Sequence, residues 1–98
     1  MVRINWTFQA KSDLKDIAEY ISKDSKLYAK RQVLKIRNRT KVLKSQNHSG
    51  RIVPEFKKKD IRQILEGNYR IIYRIVSKNR IDILTVHHMA RDLKNRDI

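Results

Sequence analysis

The sequence predicts an α+β fold: a two-helix antiparallel hairpin packed on a twisted, mainly antiparallel four-stranded sheet. Three observations carry this expectation. The apolar period changes from two residues to 3.6 near residue 8, two helical repeats follow with only a short link between them, and the second half holds three runs rich in Ile, Val and Tyr separated by turn residues. At 98 residues the chain closes one core and no more, so residues 1–98 are read as a single domain.

Taken in order, Ile4, Trp6 and Phe8 alternate with Arg3, Asn5 and Thr7, the pattern of a half-buried strand. Ala10, Leu14, Ile17, Ala18 and Ile21 then share one helical face, with Thr7 as N-cap and an end near Lys23. Asp24 or Ser25 caps a second helix, in which Ala29, Val33, Ile36, Thr40 and Leu43 repeat at spacings of four and three. So short a link makes the pair an antiparallel hairpin. A loop at Gln46–Gly50 follows, and strands are expected within 60–66, at 69–77 and at 80–88, turning at Gly67-Asn68 and at Ser77-Lys78-Asn79.

The last two strands imply a register. A three-residue loop at 77–79, with Asn79 in the left-handed position, places Tyr69, Ile71, Tyr73 and Ile75 on one buried face with Ile81, Ile83, Thr85 and His87. The other face then holds Arg70, Ile72, Arg74, Asp82, Leu84, Val86 and His88. In this register Arg74 lies across from Asp82, as a favourable pair, and Arg70 shares a face with His88.

The formal net charge is +14, and its distribution is uneven. Residues 25–65 carry thirteen bases against only Glu55 and Asp60, or +11 of that total. The second helix contributes Lys30, Arg31, Lys35, Arg37, Arg39, Lys41 and Lys44 with no acid between Tyr28 and Lys44. Such a field favours a polyanion, either nucleic acid or an acidic protein segment. The absence of cysteine excludes disulfides and thiolate metal sites. With no apolar run of signal-peptide or membrane-spanning length, the chain is read as cytoplasmic and without a membrane partner.

Phosphate-binding glycine loops, nucleophile elbows and paired-His zinc helices do not occur, and His87-His88 cannot chelate together because neighbours on a strand point to opposite faces. No metal and no cofactor are expected. What remains is the set Glu55, Arg62, Arg70, Arg74, His88 and Arg91. Cleaving RNA through its own 2′-hydroxyl needs a base for the proton, cations for the phosphorane-like transition state and an acid for the leaving oxygen. Glu and His suit the proton transfers and Arg suits phosphate. The bland alternative pairs Arg74 with Asp82 and Glu55 with a nearby lysine, and leaves Arg62 solvated.

Several segments in this order resemble the RelE/ParE toxins of type II toxin–antitoxin systems: Gly50-Arg-Ile-Val-Pro-Glu55, Ile61-Arg-Gln-Ile64, Asn68-Tyr-Arg-Ile-Ile-Tyr-Arg74 and Ile83-Leu-Thr-Val-His-His-Met-Ala-Arg-Asp92. Trp6-Thr7, Ala10, Asp13-Leu14, Ile17 and Tyr20-Ile21 extend the likeness to the N-terminal part. The resemblance implies a toxin neutralised by a cognate acidic antitoxin. Glu55, Arg70 and His88 match the positions that the superfamily's ribosome-dependent ribonucleases use for catalysis, which implies mRNA cleavage on the ribosome, with Arg62, Arg74 and Arg91 as phosphate or RNA contacts. The tyrosine that follows the histidine in those enzymes is Met89 here, and nine residues come after it. The tail His88-Met-Ala-Arg91-Asp92 is instead similar to the ParE toxins, which poison DNA gyrase and are not known to cut RNA. Both targets stand as expectations.

Overall fold

The computed structural model describes residues 2–90. Strand β1 (Arg3–Trp6) leads into helix α1 (Phe8–Ser22), and α2 (Lys26–Arg39) runs on into a 3-10 turn at Thr40–Lys44. Strands β2 (Arg51–Ile52), β3 (Ile61–Glu66), β4 (Tyr69–Ser77) and β5 (Arg80–His88) follow. The helices start as their caps dictate: Thr7 Oγ1 accepts from the Ala10 N–H and Ser25 Oγ accepts from the Tyr28 N–H, each relieving an orphan amide of the first turn.

The five strands form one mixed sheet in the order β1-β5-β4-β3-β2, one strand more than expected. The addition is β2, whose Arg51 and Ile52 pair antiparallel with Gln63 and Arg62. Two residues cannot show an alternating pattern, so only the pairing reveals that strand. At the other edge β1 runs parallel to β5, with Ile4 opposite Ile81. No helix among the described residues is long and apolar enough to cross a membrane.

Both helices lie on one face of the sheet, where Ala10, Leu14, Ile36 and Leu43 pack against Ile64, Ile71, Tyr73, Ile81, Ile83 and Val86. The opposite face carries a smaller core of Val53, Ile61 and Ile72, with Phe56 and Leu84 against it. The central strands are therefore buried on both sides. Ile72, expected on the less apolar face, is indeed on the face away from the helices but is covered by the 53–60 loop.

Two bulges set the β4–β5 register. The first lies near the turn. Ser77 pairs with Arg80, so Lys78 and Asn79 form a two-residue turn, and Val76 is the extra residue that restores Ile75 opposite Ile81 and Arg74 opposite Asp82. The expected three-residue loop is thus corrected, and Asn79 does not take the left-handed conformation, which Lys57 alone adopts among the described non-glycine residues. The second bulge faces Leu84 and Thr85 together to Ile72. Beyond it every pairing is displaced by one residue: Val86 lies opposite Ile71, His87 opposite Arg70 and His88 opposite Tyr69. Because strand side chains alternate, one extra residue moves His87 and His88 each to the face opposite the one expected.

The entry and first turns of α1, beside β5, hold this bulge. Thr7 Oγ1 donates to the Ile83 carbonyl at 2.6 Å, and the buried Asp13 carboxylate accepts from the Thr85 hydroxyl and, at 3.0 Å, from the Val86 N–H. Asp13 thus supplies a buried acceptor where the ladder is interrupted.

Tyr73 secures the loop before β2. Its hydroxyl accepts from the Gly50 N–H and donates to the Asn47 carbonyl, both at 3.0 Å. Gly50 is required by this close approach, since a Cβ there would lie 2.5 Å from the Tyr73 hydroxyl and 2.7 Å from the Gln63 carbonyl. Burial pushes the Tyr73 phenol above its ordinary value of 10.0, against the lowering effect of the Gly50 hydrogen bond and the Arg62 cation. The folded state therefore favours the protonated phenol. Its contribution is complete below the ordinary value of 10.0 and is lost as pH rises above that value towards the raised folded one. Urea midpoints are expected to fall across this alkaline window less steeply for Tyr73→Phe than for the intact chain. The same substitution costs about 1–2 kcal/mol near neutral pH. Parallel alkaline slopes for the two proteins would count against this assignment.

Candidate functional site

The Arg70 side chain leaves β4 on the face away from the helices. Its Nη1 and Nη2 meet the two Glu55 carboxylate oxygens at 2.7 and 2.8 Å, and its Nε donates to Gln63 Oε1 at 2.7 Å. The three side chains come from β4, the 53–60 loop and β3. Arg70 is 11% exposed and Glu55 22%, so the pair is largely withdrawn from water. A guanidinium fork matched to a carboxylate is the strongest form of ion pair, and here the carboxylate fills the position that a phosphate would take on Arg70. Of the expected site residues, the fold brings Glu55 and Arg70 together. Gln63 was not foreseen as their partner, because its place opposite Ile72 follows from the β3–β4 pairing alone.

His88 does not join them. It lies beside Tyr69 on the helix side of the sheet, their rings edge to face with centroids 5.4 Å apart, and its Nδ1 accepts from the Ala90 N–H at 3.1 Å. That bond leaves the proton of the neutral ring on Nε2. His88 forms the wall of a cleft of about 340 Å³ between α1 and the ends of β4 and β5, together with Asp13, Asp16, Ile17, Tyr20 and Tyr69. The expectation that Arg70 and His88 share a face is corrected, and the cause is the second bulge. His87 takes the place opposite Arg70 but is buried, at 2% exposure.

The remaining cations have mostly structural partners. Arg62 donates to the carbonyls of Lys59 at 3.1 Å, Gly50 at 3.0 Å and His48 at 3.4 Å, so it ties together the segments flanking β2. Arg74 lies opposite Asp82, as expected, yet the expected ion pair does not form. Arg74 Nε is 3.6 Å from Asp60, which the Ile75 N–H to Asp60 carbonyl bond holds alongside, while Asp82 is taken by Arg80 at 2.9 Å on its own strand. Arg91 lies outside the described residues.

Asp13 was also missed as a key residue, although its signal was legible: an acid three residues after Ala10 on the apolar stripe of α1 needs a buried partner. On α2 the exposed residues Lys30, Arg31 and Lys35 surround the exposed Leu27 and Leu34, an amphipathic cationic surface opposite the core.

Against known proteins, residues 4–93 match the family model described as the ParE toxin of the type II toxin–antitoxin system parDE. Among solved structures, the chromosomal ParDE toxin–antitoxin system from P. aeruginosa aligns with a TM-score of 0.72 at 23% identity, over 90% of this chain and 96% of that one. That likeness shows the shared fold. No curated protein matches the chain. Nearly the whole described chain thus fits one family model and one fold, and the protein belongs to the ParE toxin family of type II toxin–antitoxin systems.

Proposed function

We propose that this toxin stops growth by binding DNA gyrase as a protein ligand, and not by cutting mRNA. The observation that carries the reading is the separation of the groups that general acid–base cleavage needs. Glu55 and His88 lie on opposite faces of the sheet, and the Glu55 carboxylate is held bidentately by Arg70. A base and an acid acting on one phosphodiester must both come within about 3 Å of its reacting oxygens. Two groups on either side of a packed strand layer do not meet that requirement. The family model, which is that of ParE toxins, supports the same reading.

A toxin of this class has a cognate antitoxin. The cationic surface of α2, with its exposed leucines, suits an acidic amphipathic segment of that antitoxin, whose encounter with the toxin would slow as salt rises.

The deciding experiment uses the purified chain with gyrase and relaxed plasmid and, separately, with programmed ribosomes. Supercoiling should be inhibited, the mRNA should stay intact, and His88→Gln should inhibit gyrase within about twofold of the intact chain, a factor worth only some 0.4 kcal/mol. Ribosome-stimulated cleavage by the intact chain, lost in His88→Gln, would establish the ribonuclease instead.

A further inference from the structure

We propose that the loop between β2 and β3 is a second functional surface, on which Lys57, Lys58 and Lys59 grip the phosphodiester backbone of duplex DNA. The loop is built as two backbone turns. The N–H groups of Phe56 and Lys57 both donate to the Val53 carbonyl, at 3.2 and 3.0 Å, and the Ile61 N–H donates to Lys58 at 3.2 Å. Beneath it, Val53 and Phe56 pack on Ile61, Ile72 and Leu84, while Arg62 and the Ile75 N–H hold the carbonyls of Lys59 and Asp60. The three lysine backbones are therefore fixed in place before any ligand arrives, which lowers the ordering cost of binding.

The charges of the loop are sorted by direction. Of its two acids, Glu55 is paired within the fold by Arg70, and Asp60, half exposed, lies 3.6 Å from Arg74. Lys57, Lys58 and Lys59 are exposed, no ion pair among the described residues engages them, and Arg51 is exposed at the start of the same hairpin. Lys57 has φ of 52°, the left-handed region, which costs a side-chain-bearing residue about 1 kcal/mol relative to glycine. A cation is thus held where an uncharged glycine would be less strained.

The composition of the surface selects a nucleic acid over a protein. Lysine is depleted in protein interfaces, which are anchored by apolar and aromatic groups. Within the 53–60 loop no large hydrophobic residue is exposed, the nearest being Ile52 of β2, whereas the α2 surface presents Leu27, Tyr28 and Leu34 among its cations. Point charges without apolar anchors are what backbone phosphate contacts require. The choice of DNA over RNA rests on the gyrase reading, which brings the toxin to DNA; the phosphate contact itself does not depend on it.

The test measures binding of the purified chain to a short duplex DNA, without gyrase, between about 50 and 200 mM salt. Lys57→Asn, Lys58→Gln and Lys59→Gln are combined, asparagine being tolerant of the left-handed conformation. A charge-matched control combines Lys30→Gln, Arg31→Gln and Lys35→Gln on α2, and circular dichroism verifies both folds. The loop triple should flatten the log–log salt dependence by about 2.7 and weaken binding about 100-fold at roughly 0.15 M salt, with less than one unit of change in the control. Equal losses in the two triples would overturn the proposal, as would tighter, loop-dependent binding to duplex RNA, or a loop triple that weakens an acidic peptide more than DNA. Gyrase inhibition by the intact chain is scored separately. If it is absent while the loop-dependent slope is present, the gyrase reading fails and the phosphate contact stands.

Discussion

Asp13→Ala is expected to lower stability by about 3–4 kcal/mol, the largest effect of any single substitution considered for this fold. The carboxylate accepts from Gln9 Nε2 at 2.9 Å, from the Thr85 hydroxyl and from the Val86 N–H, and Asp13 is only 6% exposed. Alanine removes the Asp13 acceptor from a buried hydroxyl and a buried amide, each loss costing about 1–3 kcal/mol. In a domain of this size the melting temperature should fall by roughly 15–20 °C. Asp13→Asn keeps one oxygen for the bulge donors and should lose about half as much. Amide exchange at Val86 and His87 should accelerate more than in β3, because the bulge loses its anchor before the rest of the sheet. A melting shift below about 5 °C for the alanine variant would remove Asp13 from this role.

Arg70→Ala is expected to cost about 2–4 kcal/mol, because it removes the bidentate guanidinium from a Glu55 carboxylate that is largely withdrawn from water. The consequence for function is sharper than the figure. Loss of growth arrest in that variant would resemble the loss of a catalytic arginine, yet under the gyrase reading it follows from a loosened 53–60 loop. Replacing both partners, Glu55→Gln with Arg70→Met, removes the charges together and should restore stability to within about 1 kcal/mol of the intact chain. Growth arrest should return with it. A double variant that is stable yet inert, beside an Arg70→Ala protein with an unchanged melting temperature, would mean that the arginine acts on a substrate.

Most of the fold was legible in the sequence because it depends on local order. The switch from period two to 3.6 marked β1 and α1, the hydroxyls of Thr7 and Ser25 marked the helix starts, and Gly67, at φ of 56°, marked the β3–β4 turn. The +11 concentrated in residues 25–65 was a property of composition alone, and the order of short motifs was enough to reveal the family. The pairing of Glu55 with Arg70 was harder to read. Both residues stood out as members of one site, with a lysine as the alternative partner for Glu55, and only the folding of the 53–60 loop over Ile72 brings the two together.

What only the tertiary structure decided is the face on which each histidine lies. An alternating strand fixes its own inside and outside only while no residue is added, and the extra residue at Leu84–Thr85 is stabilised by Thr7 and Asp13, more than seventy positions earlier in the chain. No window along β5 contains those partners. The single displaced position separates His88 from Glu55 and Arg70, and so the proposed target turns on a hydrogen-bonded contact between the first helix and the last strand.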